Sequence, residues 1–138
     1  MTPAPRGFEE VAHVADAAIR AYGDHWPDLL VNAALGMFSL MAEWEDSTTS
    51  VEREVSLRST DRETLLVDWL SELLYLHEMD GVVYIDFEIR EASATSLGAV
   101  IRGTEKWLPK TAIKAVTFND LRVAETTQGY TATIVFDT

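Results

Sequence analysis

Two aspartates far apart in the chain are the residues whose types and positions best suggest chemistry. Asp16 lies three residues after His13 in a small, apolar segment, and Asp137 ends the last alternating stretch, directly before Thr138. Hard divalent cations bind six or more oxygens, usually from two or three carboxylates with carbonyls and water. If the two segments meet in space, Asp16, Asp137 and Thr138 could form such a site. The alternative is that both aspartates are solvated surface residues, as most acids are.

Lys114 is the third candidate, because lysine is scarce in this chain. Only three of the 11 basic residues are lysines, against 23 acidic residues. Lys114 lies among apolar neighbours in a strand-like segment, so it is either a functional group or part of an exposed strand face. Spacing alone favours the exposed face.

The three histidines do not pair at metal-ligand spacing. We expect His25 to begin a helix and His77 to lie on the solvated face of another. The sequence contains no cysteine, which excludes thiolate nucleophiles and Cys-ligated metal centres. It also lacks a P-loop, a dinucleotide-binding GxGxxG, an HExxH helix and a nucleophile elbow.

Length and charge restrict the class of protein further. The chain has 138 residues, enough for one domain, and a net charge of −12. Such a charge repels polyphosphate, so we expect no direct binding of nucleic acid. A soluble acidic surface accounts for most of the charge, and a few of the acids could bind a cation or a basic partner. The first residues carry no apolar core of signal-peptide length, and no apolar run of membrane-spanning length occurs. A soluble, cytoplasmic protein without membrane contact is therefore expected.

The strongest helical pattern covers residues 60–79. Apolar residues recur there at intervals of three and four, so we expect Trp69 and Leu73 to be buried against a sheet. Thr60 and Glu63 fit a capping box at its start, and Gly81 is suited to the left-handed residue that ends a helix.

A second helix is predicted to begin near Trp26-Pro27, with Asp24 or His25 as its cap. The small residues 33, 34 and 36 would let it approach the sheet or the other helix closely. Alternating segments predict strands at 8–11, 17–23, 51–57, 83–90, 97–101, 113–123 and 130–137, the one at 113–123 with a bend near Asn119-Asp120. Together these elements predict an α+β fold in which two long helices pack on a largely antiparallel β-sheet, with residues 1–7 as a flexible N-terminal tail and 8–138 as a single domain.

Several of these segments together resemble the archease family, the accessory proteins of the RtcB-type RNA ligase. The resemblance lies in five stretches that follow the family's order: HVADAAIRAYG (13–23), NAALGMFSLM (32–41), LLVDWLSELLYL (65–76), IKAVTFNDLRV (113–123) and TIVFDT (133–138). Some positions differ from the family pattern. Where the family usually has HTAD, this chain has HVAD, and Ala18 occupies the position of a family glycine. Thr111 occupies a position at which the family commonly has a histidine. After IKAVT, the residues Phe118, Asn119 and Asp120 replace the usual tyrosine, histidine and glycine.

The resemblance implies an archease-like fold and a non-catalytic helper. Family members promote guanylylation of the ligase by GTP and metal, which permits multiple turnovers in tRNA splicing or RNA repair. The metal ligands would be Asp16, Asp137 and the main-chain oxygen of Thr138, and the ion a divalent one such as Ca²⁺, Mg²⁺ or Mn²⁺. Lys114 and His13 would serve ligase activation.

Two other functions remain open from the residues themselves. A general chaperone or adaptor for RNA-modifying enzymes would bind through an apolar patch without metal. A stand-alone metal-dependent hydrolase or transferase would need a pocket and a base, and the sequence offers no convincing base.

Overall fold

The computed structural model describes residues 7–12, 17–45 and 48–138, which contain two helices and ten strands. In chain order these are β1 (Phe8–Val11), β2 (Ala17–Gly23), α1 (Trp26–Met41), β3 (Ala42–Glu43), β4 (Val51–Arg58), α2 (Arg62–Asp80), β5 (Val83–Ala92), β6 (Ser96–Thr104), β7 (Leu108–Pro109), β8 (Ala115–Val116), β9 (Val123–Thr126) and β10 (Gly129–Asp137). Residues 1–6 of the predicted tail lie outside the described residues. No helix in these ranges is long and apolar enough to cross a bilayer.

Helix α1 begins where the sequence predicts. His25 is its N-cap, and the Asp28 carboxylate accepts a hydrogen bond from the His25 amide at 3.0 Å. The small residues on its buried face allow the expected close approach. A Cβ built on Gly36 would lie only 2.7 Å from Cδ1 of Ile19 in β2. A side chain at position 36 would therefore require Ile19 and the nearby Phe8 to shift.

Helix α2 confirms the apolar pattern but not the predicted cap. Its N-cap is Asp61, whose carboxylate accepts a 2.8 Å bond from the Thr64 amide, so the Thr60–Glu63 box is wrong. The Asp61 side chain satisfies the exposed amide, and Glu63 instead accepts a 3.4 Å bond from the Val123 amide. At the other end Gly81 adopts φ 67° and closes the helix, as predicted.

The strands form three antiparallel sheets among the described residues, so the expectation of one sheet beneath two helices is wrong. One sheet has the order β4-β6-β5, and β3 pairs with β7. In the five-stranded sheet, β10 is central: β2 lies on one side, with β1 beyond it, and both β8 and β9 lie on the other. The β3–β7 pair was not predicted, since two-residue strands show no alternation.

The core lies where the two helices contact both larger sheets. Trp69 and Leu73 of α2 are fully buried, as predicted. The Trp69 indole donates a 2.9 Å hydrogen bond to the main-chain oxygen of Leu30 in α1, and its ring meets Phe87 of β5 edge-on. A single side chain thus joins both helices to the three-stranded sheet.

The segment predicted as one strand over 113–123 is instead interrupted. Only Ala115 and Val116 pair with β10 there, and β9 resumes the pairing at Val123. A turn separates them, with the Leu121 amide bonded to the Phe118 oxygen at 3.0 Å. Within that turn Asp120 has φ 56°, the left-handed conformation that no strand can accommodate.

A polar cluster ties the end of α2 to the three-stranded sheet. Arg53 of β4 donates two hydrogen bonds to the Asp80 carboxylate, at 2.7 and 2.8 Å, and the Tyr84 hydroxyl donates a third at 2.9 Å. The guanidinium lowers the pKa of Asp80. Burial, and then the neighbouring Asp80, raise the pKa of Tyr84 to about 12.

Candidate functional site

The end of β10 is where the described candidate residues Lys114, Asp137 and Thr138 lie. Phe136 pairs with Ala17 of β2, and Asp137 pairs with Ala115 of β8. Ala17 follows Asp16 in the sequence, and Ala115 follows Lys114. Both therefore lie on strands next to β10, within one register position of each other. This arrangement depends on pairing between segments that are distant in the sequence. The alternation of residues within one strand does not show which strand it pairs with.

Lys114 and Asp137 are linked directly through the main chain. The Lys114 amide donates a 2.7 Å hydrogen bond to the Asp137 carbonyl. Both side chains are exposed, as is Thr138. The ammonium and carboxylate are thus presented to solvent from a common main-chain scaffold at one end of the sheet.

The segment carrying Lys114 has a second attachment at Thr117. The amide and the hydroxyl of Thr117 both donate to the main-chain oxygen of Val135, at 3.1 and 2.9 Å. The same hydroxyl accepts a 3.2 Å bond from the Asn119 amide. Thr117 therefore holds this segment to β10 and also braces the turn that follows.

Two of the predicted site residues, His13 and Asp16, lie outside the described residues. Within residues 7–12, 17–45 and 48–138, no three acidic or imidazole side chains come together as a metal site would require. Of the predicted metal ligands, Asp137 and Thr138 are described. A carboxylate and a main-chain carbonyl are oxygen donors, the type that Ca²⁺, Mg²⁺ and Mn²⁺ prefer.

The other two histidines have structural surroundings. His25 begins α1, as predicted. His77 is half-buried rather than on a solvated face: its Nδ1 lies 2.8 Å from the Val82 oxygen, and its ring centre is 5.1 Å from that of Trp107. The Trp107 indole in turn donates a 2.9 Å bond to the Gly81 oxygen. The C-terminal end of α2 thereby fixes a tryptophan at the surface.

A groove of about 790 Å³ opens beside this tryptophan, and we call it the Trp groove. It is lined by Ser39, Ala42, Glu43, Trp44, Glu45, Lys106, Trp107, Leu108 and Lys110. Leu108 is 67% exposed there. The lining is apolar at its centre and carries both signs of charge, and it includes neither Lys114 nor Asp137.

Sequence reasoning missed both Thr117 and the Trp groove. A threonine in a strand-like segment carries no signal of its own, because its role depends on which carbonyl lies opposite. The groove had a partial signal, since all three lysines of the chain and Trp107 fall within residues 106–114. Its other wall comes from residues 39–45, which the β3–β7 pairing and the hydrogen bonds of Lys110 bring close.

Comparison with known proteins covers almost the whole chain. The model of the Archease protein family matches residues 8–138. The chain is 43% identical to the protein archease of Methanosarcina mazei, over 94% of each chain.

Two solved structures share the fold. The solution structure of protein 1598 from Methanobacterium thermoautotrophicum has a TM-score of 0.79 and 31% identity, and the match covers 96% of this chain and 99% of that one. The crystal structure of an archease from Thermotoga maritima, described as a possible chaperone, has a TM-score of 0.68 and 20% identity, covering 100% and 98%. The mixed α/β architecture with antiparallel sheets is therefore common to all three proteins.

Proposed function

Since this chain belongs to the archease family, we propose that it is an accessory protein of an RtcB-type RNA ligase. In this role it promotes the metal- and GTP-dependent guanylylation of the ligase, and so supports multiple turnovers in tRNA splicing or RNA repair. The protein itself is non-catalytic: it supplies groups to the ligase and makes or breaks no bond in the RNA.

The observation that carries the proposal is the convergence of three strands at the end of β10. The pairs Ala17–Phe136 and Ala115–Asp137 place the neighbours of all three candidate side chains together. The hydrogen bond from Lys114 to Asp137 closes this arrangement. Side chains carried by paired strands keep a more fixed geometry than side chains on loops. A site that must act on the ligase's reacting groups needs such a fixed geometry.

The site residues fit a hard divalent ion. The carboxylates of Asp16 and Asp137 and the main-chain oxygen of Thr138 would hold Ca²⁺, Mg²⁺ or Mn²⁺, with water completing the shell. Such an ion, when bound, neutralises phosphate charge. Without it, two neighbouring carboxylates would repel each other. In this proposal the pairing of β2 with β10 would hold both acids close despite that repulsion.

Charge supports a basic partner. The chain carries a net charge of −12, and an RNA ligase must present a basic surface to its substrate. Opposite charges steer the two proteins together and raise the association rate. At the tip, the exposed Lys114 ammonium supplies the local positive charge that can meet the phosphates of GTP, with His13 as a second activating group.

A guanylylation time course with the purified cognate ligase, GTP and Mn²⁺ tests the proposal. Substoichiometric amounts of this protein should convert a ligase that stops after about one turnover into one that turns over repeatedly, since the helper is released each time. This protein without the ligase should neither join RNA nor consume GTP. Equal product with and without the protein, under multiple-turnover conditions, would overturn the assignment.

The Trp groove favours a second candidate, a general chaperone or adaptor for RNA-modifying enzymes. Its exposed Leu108 and half-buried Trp44 and Trp107 form the apolar patch that such a role needs. Binding to several unrelated RNA enzymes, unchanged by a chelator and lost in Leu108→Glu, would support the adaptor. Binding restricted to the ligase would support the first proposal.

A further inference from the structure

The segment that carries Lys114 is attached to the rest of the sheet through very little regular structure. Strand β8 has two residues and lies at the edge of its sheet, so β10 is its one strand neighbour among the described residues. The ladder ends with the bond from the Lys114 amide to Asp137. On the other side the chain leaves β10 in the turn around Asp120. A ladder this short contributes few hydrogen bonds to fixing the register, beside the burial of Ile113 and the packing of Val116 against the core.

Thr117 adds a polar constraint on this register. Its hydroxyl donates to the Val135 oxygen at 2.9 Å, beside the 3.1 Å bond from its own amide to the same atom. The hydroxyl also accepts from the Asn119 amide at 3.2 Å, which stops the turn from unwinding into the ladder. Both main-chain elements that could slip, the strand end and the turn, are therefore tied to one side chain.

A slip at this point would disturb the candidate site directly. Movement by one residue displaces Lys114 along the strand by about 3.3 Å and turns its side chain to the opposite face. Misplacement of a catalytic constellation by about 1 Å can cost about a hundredfold in rate. Asp137, on the central strand, would stay where it is.

We propose that Thr117 is a positioning residue of the ligase-activating site, whose hydroxyl fixes the register of the Lys114 segment against β10. The inference rests on the proposed function, because the distance that Thr117 controls, between Lys114 and Asp137, matters only if both groups act together on the ligase.

Three variants test the role of the hydroxyl. Thr117→Val keeps the shape and removes both side-chain hydrogen bonds, whereas Thr117→Ser keeps them. Thr126 provides the matched control, since its hydroxyl donates to the Gly129 oxygen at 3.2 Å in the turn between β9 and β10, at the other end of the strand. The measurements are stimulation of guanylylation, thermal melting, and deuterium exchange at the Lys114 amide.

Thr117→Val should lower stimulation by about tenfold or more and speed exchange at the Lys114 amide, while remaining folded at the assay temperature. Thr117→Ser should restore both quantities, and Thr126→Val should leave both at the wild-type level. Wild-type stimulation by folded Thr117→Val would overturn the inference, as would equal loss in folded Thr117→Ser. Full stimulation by folded Lys114→Ala would also overturn the inference, because the group that Thr117 positions would then have no role. The proposed function fails by a different result, the absence of stimulation by the wild-type protein, so the two failures are distinguished.

Discussion

The main-chain amide of Lys114 and the main-chain carbonyl of Asp137 are joined by a 2.7 Å hydrogen bond. The link does not involve either side chain, and both side chains are exposed. A substitution at either position therefore removes one functional group while the scaffold between them stays intact. This separation makes the site unusually accessible to mutagenesis.

Lys114→Ala should abolish stimulation of the ligase while leaving the free energy of unfolding within about 0.5 kcal/mol of wild type, as is usual for exposed positions. Divalent-ion binding should persist, because the lysine is not a ligand. Lys114→Arg keeps the charge and serves as the control. Retained stimulation in Lys114→Ala would show that the ammonium has no role at this site.

Asp16→Asn and Asp137→Asn should each keep the fold and abolish stimulation. Each replaces a charged ligand by a neutral one, so titration with Mn²⁺ should show at least about a tenfold loss of affinity. The metal-free variants should be as stable as wild type or more so, because the carboxylate repulsion is relieved. Glu125→Gln, at an exposed position of β9, controls for the loss of one negative charge. An experimental structure with the two carboxylates more than about 8 Å apart would exclude a shared ion, since each ligand oxygen must lie about 2.3–2.6 Å from Ca²⁺ or 2.0–2.1 Å from Mg²⁺.

Trp69→Ala and Leu73→Ala should each lower the free energy of unfolding by roughly 2–5 kcal/mol, from lost burial and the cavity left behind. Trp69 should lie toward the upper end, because its hydrogen bond to the Leu30 oxygen is lost as well. Denaturant titration measures both values. Tyr75→Ala, at a residue of the same helix that is 53% exposed, should cost far less. Equal losses at all three positions would contradict the observed orientation of α2.

Tyr84 should make stability depend on pH in the alkaline range. Folding raises the pKa of its hydroxyl from 10.0 to about 12, so the folded state favours the neutral form. The associated stability is fully present below pH 10 and is lost as the pH rises toward 12. Urea unfolding at several pH values should show this decline in wild type and a flatter profile in Tyr84→Phe. Tyr75→Phe controls for removal of a hydroxyl, and the same decline in Tyr84→Phe would refute the link.

Asp80, which accepts the hydrogen bond of Tyr84, should make stability depend on pH in the acid range. Arg53 lowers the pKa of Asp80 below its ordinary value of 3.8. The stability that this ion pair contributes is therefore present above about pH 4 and is lost as the pH falls below that value.

Asp120→Gly should stabilise the protein by about 1 kcal/mol, because φ 56° costs an L-residue about 1–2 kcal/mol that glycine does not incur. Part of the gain is offset by the greater freedom of glycine in the unfolded chain. A rise in melting temperature would confirm the strain. Asp120→Ala, with no polar side chain to support this conformation, should melt below wild type.

The sequence carried enough information for the elements that bury one face over many residues. The stripe through Trp69 and Leu73 predicted α2, and alternation predicted the β5–β6 hairpin, since both patterns report on solvent exposure. The paired strands Ala42–Glu43 and Leu108–Pro109 have two residues each, which is too short to show an alternation of apolar and polar residues. The division into separate sheets depends on which strands meet, and this follows from packing rather than from any one segment.

The candidate site divides in the same way. Asp137, Thr138 and Lys114 were named from residue types together with the family resemblance, and their place at the end of β10 agrees with a shared site. The metal ligands and activating residues themselves, including His13 and Asp16, remain predictions. Thr117 could not have been found in advance, because its importance lies in the Val135 oxygen opposite its hydroxyl.

The central position of β10 also has a consequence for biosynthesis. Strands β4, β5 and β6 and helix α2 form one continuous stretch, residues 51–104, and can assemble as soon as it has left the ribosome. By contrast, β2 cannot pair with β10 until nearly the whole chain has been made, since Ile19 pairs with Ile134. Throughout that interval the nascent chain carries β2 with one unpaired edge, which is the kind of surface that recruits other chains. The strand that completes the proposed site is thus also the one that ends this vulnerable period.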